Sequence, residues 1–152
     1  MRPPRVLVAY ATRHDSTAEI AAVIGSALYL GRWDVAAVGL VRRERARLAA
    51  IPTWLFSSGT VGAGPATARP ERLPQPADVG ALAEEIGAHA TTFGGRVDPA
   101  DDGLEAQIMA SAGLTGDWRD FARIRAWARA IAADLLVGTA EGADEEVPDA
   151  SG

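Results

Sequence analysis

Three hydroxyls, Thr12, Ser16 and Thr17, stand with Arg13 and His14 where the apolar run Val6-Leu7-Val8-Ala9-Tyr10 gives way to Asp15-Ser16-Thr17-Ala18-Glu19-Ile20. Such hydroxyls, set beside helix amides that lack intrahelical partners, can grip a phosphate without lysine, because the helix dipole favours an anion at that end. A protonated His14 would add to that grip. The same residue types also cap helices, so Asp15, Ser16 or Thr17 accepting from the first amides is the plain alternative. Ser57 and Ser58 precede Gly59, but no Gly-x-Ser-x-Gly elbow is present and no motif places His14 or His89 near them, so a hydrolase nucleophile is not expected. The acids Asp101, Asp102 and Glu105 suit a helix N-terminus better than a cation.

Elements must hold these groups in place. The Val6–Tyr10 run reads as a short parallel strand covered on both faces. Trp54-Leu55-Phe56 reads as a second buried run, ending in a Ser57-Ser58-Gly59 loop that continues through a Gly/Pro-rich passage to Gly80. A helix is expected over Ala77–Ala88, with Asp78 as cap and Leu82 and Ile86 as its apolar line. A strand follows at Ala90–Phe93, stopped by Gly94-Gly95, and a helix at Leu104–Ala112 on Leu104, Ile108 and Met109. The terminal helix carries Phe121, Ile124, Trp127, Ala128, Ile131 and Leu135 at steps of three and four. Asp117 or Asp120 would begin it and Gly138 would end it.

Taken in order, the opening segment, Ala21–Trp33 (AAVIGSALYLGRW) and Trp54–Gly64 (WLFSSGTVGAG) resemble the flavodoxin-like family, specifically the flavodoxin-domain proteins related to menaquinone-dependent protoporphyrinogen oxidase. Phe93-Gly94-Gly95-Arg96-Val97-Asp98, Gly116-Asp117-Trp118-Arg119-Asp120-Phe121 and the helix from Ile124 extend the likeness nearly to the C-terminus. The resemblance implies an α/β, flavodoxin-like three-layer sandwich with a short, mostly parallel sheet missing one strand. It implies flavin mononucleotide (FMN) as cofactor, with Thr12, Arg13, His14, Ser16 and Thr17 holding the phosphate. Ser26, Tyr29 and Trp33 would form the second loop, an aromatic ring lying beside the isoalloxazine, and Ser57, Ser58, Gly59, Val61 and Gly62 would contact its polar edge. Electron or hydride transfer through the flavin follows, with an unidentified redox partner and oxidoreductase activity of the protoporphyrinogen oxidase kind as one outcome. A flavin-free binding module without enzymatic activity is the other.

Two departures from the family bear on that choice. Asp15 stands where the motif carries glycine, and a carboxylate there repels phosphate unless it turns away to cap the helix. Between Glu19 and Ala22, moreover, the family's second strand and crossover are missing, although a strand-helix-strand unit takes about 30 residues. An internal deletion or an incorrectly assembled sequence accounts for that gap. Two arrangements follow. Either Ala22–Ile24 starts a strand, as the resemblance has it, or the helix continues through Ile20, Ile24, Ala27, Leu28 and Leu30 to Gly31 and Val35–Leu40 becomes the next strand. Local spacing favours the second; the helix-like interval Asp34–Thr53 favours the first. Whichever holds, the phosphate grip needs its loop to open on the sheet edge where Ser57 and Gly94 emerge.

Length and composition narrow the rest. A chain of 152 residues with 48% hydrophobic and 23% charged residues suits one domain with a single core, expected over 1–138. Residues 139–152, acidic and poor in large apolar groups, are expected to be a disordered tail. The net charge of −5 belongs to that tail, and no basic stripe interleaved with aromatics argues for nucleic acid. Arg42-Arg43-Glu44-Arg45-Ala46-Arg47 is the one dense basic patch, read as a solvated helix surface or, in second place, a dock for an acidic redox partner. The absence of cysteine excludes disulfides and thiolate chemistry and suits a cytoplasmic protein. No apolar segment is long enough to span a membrane, and the basic N-terminus precedes too short a run for a signal peptide.

Overall fold

The nine residues of β2 (Ala21–Tyr29) form the strand on which the rest of the sheet is built. In the computed structural model, residues 7–11, 21–60, 73–100 and 103–141 are described. The chain is α/β, with a mostly parallel sheet and an arrangement compatible with a flavodoxin-like sandwich. β1 (Leu7–Ala11), β2, β4 (Thr53–Thr60) and β5 (His89–Gly94) lie side by side in that order, and β3 (Arg32–Trp33) pairs with the end of β2. β2, β4 and β5 are parallel; β1 and β3 each run antiparallel to β2.

The junction therefore resolves as the resemblance has it and against the local spacing. Ala21–Tyr29 is strand, and Val35–Leu40 falls inside helix α1 (Val35–Arg43). Small residues decide it: a methyl on Gly25 would run into the Phe56 ring, so glycine lets that ring lie across the strand. In an isolated helix the same glycine only costs stability. The turn supports the strand too, since Leu30 and Gly31 both take positive φ (51° and 75°), the pattern of a two-residue type I′ hairpin joining β2 to β3.

The expectation of a parallel first strand is corrected. Leu7 pairs with Gly25 and Ala11 with Ala21, so β1 runs opposite to β2. An antiparallel neighbour needs no crossover, and a segment too short for one forces that direction.

Partners across the parallel strands share a sheet face. On one face the row Ile24, Leu55 and Ala90 packs with Ala22 against α1, α2 (Arg45–Ala49) and α3 (Ala77–Ile86), through Ala37, Val41, Leu48, Val79, Leu82, Ala83 and Ile86. The other face carries aromatics, with Trp54 stacked on His89 at 6.3 Å between centroids and Phe56 tilted against Phe93 at 6.2 Å. Asp34 begins α1, its Oδ1 accepting from Ala36 N at 2.8 Å, and Thr53 donates to the Leu48 carbonyl at 3.0 Å, tying α2 to the start of β4.

Several boundaries shift. β4 runs through Thr60, so Ser57, Ser58 and Gly59 are strand rather than loop; hydrogen bonding to both neighbours outweighs their turn-like composition. α3 ends at Ile86 because Gly87 takes a left-handed φ of 67°, and Pro76, not Asp78, occupies its N-cap. α4 (Leu104–Ser111) forms as expected, but Leu104 and Ile108 are 73% and 60% exposed instead of buried. β6 (Arg96–Val97) and β7 (Gly116–Asp117) make a small antiparallel ribbon, too short to announce itself in sequence.

By contact the chain divides into Met1–Asp120, which holds the sheet and α1 to α4, and Phe121–Gly152. The second contains α5 (Phe121–Glu141), which passes through Gly138 rather than stopping there. Among the described residues no helix is long and apolar enough to cross a membrane.

Candidate functional site

Parallel strands deliver their carboxyl ends to one edge, and in open α/β sheets ligands bind in the crevice outside that edge. Here the edge is built by the ends of β2, β4 and β5. The row above Ile24–Leu55–Ala90 on the helix-covered face changes character to Ser26, Ser57 and Thr92, three buried hydroxyls on adjacent strands.

Each hydroxyl of that row is engaged. Ser26 Oγ donates to the Ala27 carbonyl at 3.0 Å and accepts from Asp34 N at 3.2 Å. Ser57 Oγ accepts from the Trp33 indole N–H at 2.8 Å, with both residues buried. Thr92 Oγ1 donates to Gln75 Oε1 at 3.0 Å. Hydroxyls of this kind anchor the segments that leave the sheet, since a buried polar group without a partner is costly.

The predicted binding residues are thus divided. Trp33 belongs to the core rather than to an open stacking surface, Ser26 and Ser57 are enclosed, and Ser58 faces the aromatic side beside Phe93. Tyr29 is 47% exposed at the end of β2. Gly59, with φ 121°, lies so close to Gly95 that a methyl on Gly95 would strike its Cα, so the two glycines serve backbone approach between strands. Thr12, Arg13, His14, Ser16, Thr17, Val61 and Gly62 lie outside the described residues. The strand ends that flank the first five, Ala11 and Ala21, pair with each other where β2 begins, at the edge opposite Ser57 and Gly94. Among the described residues, then, Ala11 and Ala21 lie at the start of β2 and Ser57 at the far end of β4.

Neither a scan against protein-family models nor searches of curated proteins and of solved structures gave a match.

Sequence reasoning missed Gln75 and Trp118. Trp118 is buried, its N–H donates to the Gly95 carbonyl at 2.9 Å, and its backbone fills the space where a Gly94 side chain would stand. Its indole Nε1 and the Gln75 Nε2 are buried without a hydrogen-bond partner. A tryptophan beside charged neighbours and a glutamine between prolines carry no signal that they are enclosed.

Nearby, Arg119 clasps Asp117 with Nε at 2.8 Å and Nη2 at 2.6 Å, while its backbone N–H donates to Asp117 Oδ1 at 3.0 Å. Those bonds hold the Asp117 carboxyl well below its usual range and raise Arg119. The pair is exposed and joins the end of β7 to the segment before α5. Arg42, Arg43, Arg45 and Arg47 are exposed on α1 and α2, Arg43 lying 3.4 Å from Glu44. Among the described residues no cluster of three His, Cys, Asp or Glu could hold a metal.

Proposed function

We propose that this chain is a flavodoxin-like binding module that does not hold FMN through the three-loop arrangement of the family it resembles. One observation carries the reading: antiparallel β1 brings Ala11 and Ala21 to the edge opposite Ser57 and Gly94. Supporting it, the indole of Trp33 and the hydroxyl of Ser57 are spent on each other inside the core. On this reading no redox step runs through a flavin.

A second reading, an FMN-binding redox protein transferring electrons to an unidentified partner in the cytoplasm, draws on a different observation. The strand order β1-β2-β4-β5 is the flavodoxin-like order with its second strand left out. On that reading the flavin supplies the redox chemistry and no side chain acts as acid, base or nucleophile. The exposed arginines of α1 and α2 would offer the partner a dock.

Absorbance of the purified chain from the near ultraviolet to the blue, followed by titration with FMN under fluorescence, separates the two. A colourless protein that leaves FMN fluorescence unchanged is expected. A yellow preparation, or saturable quenching, overturns the flavin-free reading. In that event Thr12→Ala combined with Thr17→Ala should weaken binding by about 1.5–3 kcal/mol for each charged hydrogen bond removed; equal affinity in the double variant would show that these hydroxyls do not touch the phosphate.

A further inference from the structure

β1 and β5 are the two edge strands of the sheet, and the chain treats them differently. At β5 the carboxyl half is covered: Thr92, Phe93 and Gly94 are buried, Thr92 Oγ1 donates to Gln75 Oε1, and the Gly95 carbonyl accepts from Trp118 N at 2.9 Å. At β1 no partner stands outside. Leu7–Ala11 pairs with β2 in unbroken register along one side, and among the described residues nothing hydrogen-bonds to its other side. In an antiparallel ladder successive residues turn their N–H and C=O alternately to either side, so about half of the β1 backbone groups point away from β2. Sheet edges are normally guarded by charge, proline, a bulge or a covering element, because unpaired N–H and C=O groups recruit other strands. Leu7-Val8-Ala9-Tyr10-Ala11 has neither charge nor proline, and its register has no bulge. An interior strand's composition thus stands at an edge.

We propose that β1 is completed by β1 of a second copy of this chain, the two strands pairing antiparallel about Ala9 so that one sheet runs through both copies. The proposal goes beyond the reading of the chain as a binding module and holds whether or not a flavin binds. Three features select a second copy over a foreign strand. Antiparallel pairing is self-complementary, so a single edge can meet itself about a two-fold axis. Pairing about Ala9 uses all 5 residues of the strand, setting Leu7 of one copy opposite Ala11 of the other and Val8 opposite Tyr10. With no charge in the strand, the edge offers an outside peptide no ionic selection and meets no like-charge repulsion from its own copy. Assembly closes at two copies, because the opposite edge of the sheet is the covered one.

The test uses the full chain. Light scattering over a concentration series, up to the limit of solubility, is expected to show a mass twice that of the chain giving way to monomer on dilution. Backbone hydrogen exchange should show protection of the Leu7–Ala11 amides rising with concentration while that of β5 stays constant. Ala9→Lys, which sets two like charges opposite each other at the axis, should raise the dissociation constant about tenfold. Should that variant not fold, a cross-link replaces it. The chain has no cysteine, and paired antiparallel strands bring opposite α-carbons to about 4.5–5.5 Å, within reach of a disulfide. Ala9→Cys is expected to form a disulfide-linked dimer in oxidised glutathione faster than Val35→Cys at the exposed start of α1. A monomer at every concentration overturns the proposal. So does a dimer whose β1 protection ignores dilution, since another surface then joins the copies. Assembly beyond two copies, a dissociation constant unmoved by Ala9→Lys, or equal cross-linking of the two cysteine variants overturns it as well.

Discussion

Two successive rows on one face of the sheet, three residues each, do different work. Ile24, Leu55 and Ala90 meet the helices with nothing but hydrocarbon, while one turn of the pleat further on Ser26, Ser57 and Thr92 meet them with hydroxyls. The first row sets how strongly the helices are held, through apolar area removed from water. The second sets where the departing segments go, because each hydroxyl is bonded to one of them: Asp34 N, the Trp33 indole and the Gln75 amide. Burial without direction gives stability, and direction comes from the polar row.

That contrast can be broken at either row. Leu55→Ala, in a fully enclosed position, should cost about 2–5 kcal/mol in urea unfolding, the range for a buried leucine whose cavity does not collapse. A loss below about 1 kcal/mol would mean that the apolar row is not the anchor of the fold. Ser57→Ala should cost about 1–3 kcal/mol by orphaning the Trp33 indole. Adding Trp33→Phe should then cost less than it does alone, so that the double-mutant cycle returns a coupling of about 1 kcal/mol. Additive losses would show that the 2.8 Å contact contributes nothing beyond packing.

Smaller effects sharpen the comparison at the edges of the sheet. Leu30 takes a left-handed φ of 51° and is 88% exposed at the tip of the β2–β3 hairpin. Leu30→Asn should raise stability by about 1 kcal/mol, since asparagine tolerates that conformation and suits the turn. No gain in the unfolding midpoint would locate compensating contacts at the leucine. Asp117 gives the least. Its carboxyl is held below its ordinary pKa of 3.8, so the stabilisation it brings is complete above that pH and is lost as pH falls through the lowered value. Proton titration of the Asp117 carboxyl by NMR should show it still ionised when the other exposed carboxyls are protonated, and Arg119→Gln should shrink the difference, leaving only the part due to the backbone N–H of residue 119.

Legibility followed the range of the forces involved. α3 and β5 could be read because their own residues carry the pattern: Leu82 and Ile86 one turn apart, and Ala90–Phe93 stopped by Gly94. β2 misled on spacing because alanine, glycine and serine fit helix and strand equally well. Only the neighbours β1 and β4, and the ring of Phe56 over Gly25, decide between them. α4 misled in the opposite way: its leucine and isoleucine lie in helical register, yet no layer covers them in the described residues. At the candidate site Ser57 and Trp33 were visible as residue types, but the bond between them spans 24 positions in sequence and leaves no local signal.

By itself the sequence determined the α/β class, the runs that become β4 and β5 and the helices α3 to α5, because each of those rests on patterns among residues a few positions apart. The direction of β1, the strand character of β2, the engaged hydroxyl row and the two enclosed donors of Gln75 and Trp118 were decided only in the tertiary structure. They depend on which backbone edges and buried polar atoms meet across distant segments, and a hydrogen bond between such segments leaves no periodic trace along the chain.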